Sequence, residues 1–161
     1  MAFVELEDVL AAKLNASVGA VVHKEANQIT SADAAFSDDD DILWDVVAGA
    51  AYSMKAYIIY ETSDVPDIKF GWSAPSGGSL LWNGYGYSAA SAHQNFGNEA
   101  TSGPVVFGGS SPGNPRLARL TGYLTVGDQD GLLKLRWAQN VNDAADTAVL
   151  AGSFGILRRI V

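Results

Sequence analysis

ILWDVVAGAAYSMKAYIIYE, residues 42–61, repeats its apolar side every second residue. Ile42, Trp44 and Val46 alternate with Leu43, Asp45 and Val47. Ala48-Gly49-Ala50 marks a turn, after which Tyr52, Met54, Ala56, Ile58 and Tyr60 alternate with Ser53, Lys55, Tyr57 and Ile59. Successive side chains of a strand point to opposite faces, so this period reads as two strands, each with one face in a core. The rule holds downstream. Ile68, Phe70 and Trp72 alternate with Asp67, Lys69 and Gly71, and Pro75 to Gly78 is a turn signal. Leu80 and Trp82 open another short strand, and residues 103–107 are a further candidate. GGSSPGNP, residues 108–115, holds too much Gly and Pro for regular structure. Ala118, Leu120, Gly122, Leu124 and Val126 then face inward, and GDQDG (127–131) reads as a hairpin loop. Leu133, Leu135 and Trp137 line one face with Lys134 and Arg136 opposite. Residues 140–146 form a polar loop, and a terminal strand at 148–160 carries Phe154, Ile156 and Ile160.

About eight strands separated by turn signals, with no helical pattern between them, predict an all-β fold. The expected architecture is a jelly-roll-like antiparallel β-sandwich preceded by a short N-terminal helix or arm. Phe3, Leu6, Leu10 and Leu14 fall on one face of a helix over 3–14, with Glu5, Glu7 and Asp8 toward its N-terminal end. So short a helix is marginal alone in water and needs a surface to dock on. These four apolar residues are therefore the expected partner-binding set. Residues 1–27 are assigned to the arm, an anchor or oligomer contact, and residues 28–161 to the sandwich.

Charge divides along the same line. The chain has 161 residues and a net charge of −8. Residues 1–45 carry ten acids and two bases, whereas residues 46–161 carry eight of each. A chain this acidic is a poor nucleic-acid binder. A neutral, Gly-rich body has little charge to keep copies apart and suits subunit packing. No Cys is present, which excludes disulfides, thiolate nucleophiles and Cys-based zinc sites. The N-terminus carries acids where an export signal carries bases, and no apolar run is long enough to span a bilayer. Neither export by that route nor membrane insertion is expected.

Catalytic patterns are weak. His23 and His93 are the only histidines, and neither lies in a hydrolase or metalloprotease motif. Gly84-Tyr85-Gly86 mimics half a dinucleotide fingerprint without its helix. Glu61, Asp64, Asp67 and Glu99 could supply a glycosidase pair, but no spacing favours any two. Asp38, Asp39, Asp40 and Asp41 are calcium candidates by density of oxygens. Consecutive residues of an extended chain diverge, however, so a solvated turn entering the strand at Ile42 is the better account. No cofactor and no catalytic residue are assigned. Trp44, Trp72 and Trp137 sit on apolar faces and read as core. Trp82, Tyr85 and Tyr87, in the Gly-broken segment WNGYGYS, are the candidate ligand-binding aromatics.

From Gln28 onward the chain resembles β-sandwich domains of tailed-bacteriophage virion proteins: head-decoration, head-fibre and minor-tail modules. The features that carry the resemblance run in order: DDDDILWDVVAGAAY, IIYE, DIKFGWSAP, GYLTVGDQDGLLKLRWAQN and AGSFGILRRI. The first 27 residues fall outside it. The resemblance implies a jelly-roll-like sandwich, a structural role in the virion and homotrimers, with a major capsid or other virion protein as partner. It carries over no catalytic residue and no cofactor. The expected function is a capsid decoration or surface protein. The alternative is a tail or collar fibre module that recognises a host-surface glycan through Trp82, Tyr85 and Tyr87.

Overall fold

The structure is a computed structural model that describes residues 19–90, 92–100, 103–111 and 113–160, with backbone alone at Asn98 and Glu99. The helix expected over residues 3–14 lies outside the described residues. The described residues form twelve strands: β1 (Ala20–His23), β2 (Gln28–Thr30), β3 (Ser37–Val46), β4 (Ala51–Thr62), β5 (Ile68–Ser73), β6 (Ser79–Tyr87), β7 (His93–Ala100), β8 (Val105–Phe107), β9 (Arg116–Thr125), β10 (Gly131–Gln139), β11 (Thr147–Val149) and β12 (Phe154–Arg159). The larger sheet runs β1-β12-β4-β9-β6-β7, with β11 joining β4 to β2, and the smaller runs β3-β10-β5-β8.

Eight of these strands pair in a nested order. β6 pairs with β7, β5 with β8, β4 with β9 and β3 with β10, all antiparallel. Alternate pairs fall in opposite sheets. One long hairpin, β3 to β6 outward and β7 to β10 back, is thus rolled into two layers. That is the topology of a jelly roll. β1, β2, β11 and β12 extend the larger sheet beyond it.

The alternation read from sequence is what fills the space between the sheets. Ile42, Ile58, Ile68, Phe70, Leu120 and Leu135 are all fully buried in one cluster. Some glycines are required by this packing. A Cβ at Gly84 or Gly86 would stand 2.6 or 2.8 Å from the Phe107 ring, and one at Gly155 would stand 2.5 Å from the Trp44 ring. The GYG segment that mimics a nucleotide fingerprint is therefore a bare patch of strand on which Phe107 lies.

Four expectations are corrected. GDQDG does not close a hairpin: β9 and β10 belong to different sheets, and the loop crosses between layers. Local turn chemistry specifies that the chain reverses, not which strand receives it. The corner is tied to the β3–β4 turn, where Gly49 N–H donates to Gly127 O (2.7 Å) and Ala48 N–H to Asp130 Oδ1 (2.7 Å). The terminal strand is two strands, β11 and β12, broken near Gly152, whose φ is +88°. Asp38 to Asp41 are not a turn but part of β3. Strands β1, β2 and β7 arise in segments where the sequence has no sustained alternation. The division drawn at 27/28 thus falls between two strands of the larger sheet, with β1 bonded to β12 from Ala20 to His23.

Candidate interaction surface

The outer face of the larger sheet is built by register. His23 lies opposite Phe154, Phe154 opposite Tyr57, Tyr57 opposite Arg119, and Arg119 opposite Tyr85, a single row across five strands. The next row is Val21, Ile156, Lys55, Thr121 and Asn83, and the third is Arg158, Ser53, Tyr123 and Leu81. These side chains have the parity opposite to the core residues of the same strands, so they face outward. Tyr57 and Phe154 stack at 4.9 Å between centroids. Leu81, Leu117 and Tyr123 are about half exposed. Between the second and third rows runs a shallow groove lined by Ser53, Lys55, Leu81, Asn83, Thr121 and Tyr123. The charges in the three rows are Lys55, Arg119 and Arg158, with no acid among them. In an acidic protein these three rows carry basic, aromatic and apolar side chains, interspersed with Ser53, Asn83 and Thr121.

The three candidate ligand-binding aromatics do not act together. Trp82 is 1 % exposed, meets Trp72 edge to face and donates its indole N–H to Ala100 O (3.2 Å). It is core, and no ligand reaches its ring. Tyr85 and Tyr87 have the opposite parity on β6, and Tyr85 is 39 % exposed. Their faces are already engaged. His93 lies 5.8 Å from Tyr85 and 3.9 Å from Tyr87, while Arg119 covers Tyr85 at 5.1 Å and Arg116 covers Tyr87 at 4.3 Å. The order Arg119–Tyr85–His93–Tyr87–Arg116 forms one cation–aromatic stack. The period-two pattern of WNGYGYS already separates Trp82 from the tyrosines; the glycines hid it.

The aspartate run is divided between two cationic sites. Asp38 receives Lys134 (2.7 Å) and Arg136 (3.2 Å) on the outer face of the smaller sheet. Asp39 is 1 % exposed and meets Lys24, itself 2 % exposed. Asp41 approaches the same ammonium at 3.4 Å. The division arises from a bulge: between Lys134 and Arg136 of β10, the partner position moves from Leu43 to Asp38. Residues 39–42 stand against the single residue Leu135, and Asp39 Oδ1 accepts the N–H groups of Asp41 (3.1 Å) and Ile42 (2.9 Å) that the ladder leaves free. Nothing in the sequence marked Lys24 as buried, because its site forms only when β1 meets β3. Among the described residues, no three metal-ligating side chains converge.

Two of the other candidate carboxylates hold loops. Asp67 accepts Gly109 N–H (2.8 Å), and Glu61 accepts Gly113 N–H. His23 sits beside Glu25 at the surface. The side chain of Glu99 and the residues Phe3, Leu6, Leu10 and Leu14 lie outside what the structure describes.

No protein-family model matches the chain, and no curated protein matches it. Among solved structures it is similar to VP2 of infectious bursal disease virus. The D431N mutant in T=1 particles gives a TM-score of 0.24 at 10 % identity, over 88 % of this chain and 40 % of that one. The subviral particle gives 0.23 at 10 % identity, over 88 % and 41 %. The chain spans about two fifths of the length of those it matches.

Proposed function

We propose that the chain is a structural protein of a bacteriophage virion, a surface or decoration protein without catalytic activity. The observation that carries the reading is the outer face of the larger sheet. A jelly roll leaves that face to solvent, yet here it holds three ordered rows of aromatic, apolar and basic side chains. Such a patch fits a protein partner better than water. The ordered resemblance to virion sandwich domains supports the same reading, and so does the use of Glu61 and Asp67 to hold loops. In this reading Phe3, Leu6, Leu10 and Leu14 contact the capsid, and the sandwich packs against neighbouring copies. The glycan alternative gains nothing from Trp82, which is buried.

The test is co-sedimentation of the full chain with emptied heads of the parent phage, followed by melting of those heads. Binding to the assembled shell alone should raise its melting temperature. Leu81→Asp with Tyr123→Asp should weaken both effects. Removal of residues 1–18 should abolish attachment and leave the sandwich folded; a cut at 27 would also delete β1 and Lys24. Heads that neither retain the protein nor melt higher would overturn the proposal.

A further inference from the structure

The Lys24 site has the parts of a condensation centre. Nζ of Lys24 is 3.1 Å from both oxygens of Asp39 and so lies in the plane that bisects the carboxylate and contains its carbon. Reacting atoms held at such distances gain much of the advantage of an intramolecular reaction. The two oxygens of Asp39 differ. Oδ1 accepts two backbone N–H groups, from Asp41 and Ile42. Oδ2 has no hydrogen-bond partner and stands 3.1 Å from the ammonium. Donors aimed at one carboxyl oxygen, with the other left free to depart, are what acyl transfer requires. A second carboxylate, Asp41 Oδ2, stands 3.4 Å from Nζ. Gln28 fixes the amine from the remaining side: its Oε1 is 3.1 Å from Nζ, and its amide is held by Asp40 N–H and Asp38 O.

We propose that Lys24 and Asp39 condense to an intramolecular isopeptide bond, with Asp41 as the catalytic proton carrier. The Asp41 carboxylate first takes one proton from the ammonium and delivers it to Asp39 Oδ2, and the freed lone pair of Nζ attacks the neutral carboxyl carbon, forming the C–N bond. The developing charge rests on Oδ1 between the two backbone N–H groups. The C–Oδ2 bond then breaks. The second proton lost from nitrogen passes by the same carboxylate to Oδ2, which departs as one water. An ammonium and a carboxylate become an amide and water, and no oxidant or other reactant is consumed. Burial favours the product, because a neutral amide replaces two charges removed from solvent. Asp41 is partly exposed, at 31 % of its side chain, and so offers the water a way out. The bond would fasten the edge of the larger sheet to β3 of the smaller one. Tension applied to the N-terminal segment would then pass from β1 into a covalent clamp. This inference does not depend on the functional proposal.

The test is the intact mass of the full chain, with tryptic digestion of the denatured protein. The expected mass is one water below that of the sequence, and trypsin should fail to cut after Lys24. Residues 24 and 39 should then appear joined within one peptide. Asp41→Asn should retain the water and be cut after Lys24. Full mass with normal cleavage in the wild-type chain would overturn the proposal and leave an ion pair. Loss of water with normal cleavage would also overturn it, since that pattern belongs to a cyclic imide in the aspartate run. Loss of water in Asp41→Asn to the wild-type extent would remove Asp41 from the reaction.

Discussion

Tyr60 lies at the centre of the packed layers, 1 % exposed, with Phe70 and Phe107 against its ring. Its hydroxyl donates to Gly108 O at 2.9 Å, tying β4 to the loop after β8. Burial pushes the phenol well above its ordinary value of 10.0. The unfolded chain therefore loses this proton before the folded one does. The stability it contributes is complete below about pH 10 and declines as the pH rises beyond that. Tyr60→Phe should lower stability at neutral pH by about 1 kcal/mol through the lost hydrogen bond. It should also flatten the decline above pH 10. Denaturant unfolding of both proteins across that range checks this, and identical slopes would count against it.

At the scale of the element, β3 carries the sharpest conflict between local sequence and final structure. Four consecutive aspartates look like a solvated run, because a regular strand would put two carboxylates on its buried face. The bulge opposite Lys134 and Arg136 resolves the conflict by turning Asp39 inward onto its own backbone and onto Lys24. β1 is held at that edge by the same lysine and by Trp44, whose indole N–H donates to Ala20 O (3.1 Å). Asp39→Ala would leave a buried ammonium facing only partly exposed partners. It should cost at least about 3–5 kcal/mol, whichever bond joins the pair. Asp40→Ala removes an exposed side chain one position away and should stay within about 0.5 kcal/mol. Unfolding midpoints of the two variants make the comparison, and equal losses would refute the division of the run.

For the whole molecule, the consequence lies in the distribution of charge. Ten of the eighteen acids lie in the first 45 residues, while the three outward rows of the larger sheet carry Lys55, Arg119 and Arg158. A face of this kind on a chain with an acidic N-terminal segment is expected to bring copies together. Light scattering after gel filtration should give the mass of three copies of a 16.9 kDa chain. Arg119→Glu with Tyr123→Asp should shift it toward one copy. A wild-type monomer would count against association of copies in solution.

The fold class follows from local pattern alone. Ile42 to Tyr60, Ile68 to Trp72 and Leu133 to Trp137 alternate because each strand must bury one side, and that requirement is written every second residue. The sequence therefore determined the strands that build the core, with their inward faces, but not β1, β2 or β7. It did not determine partners. Whether β10 meets β9 or β3 depends on how a long hairpin rolls, and both outcomes leave the same residues inward. Nor could it show the Lys24 site. Lys24 and Asp39 are 15 positions apart, and each alone reads as a solvated charge. Only the meeting of β1 and β3 removes both from water, because burial is a property of what surrounds a side chain.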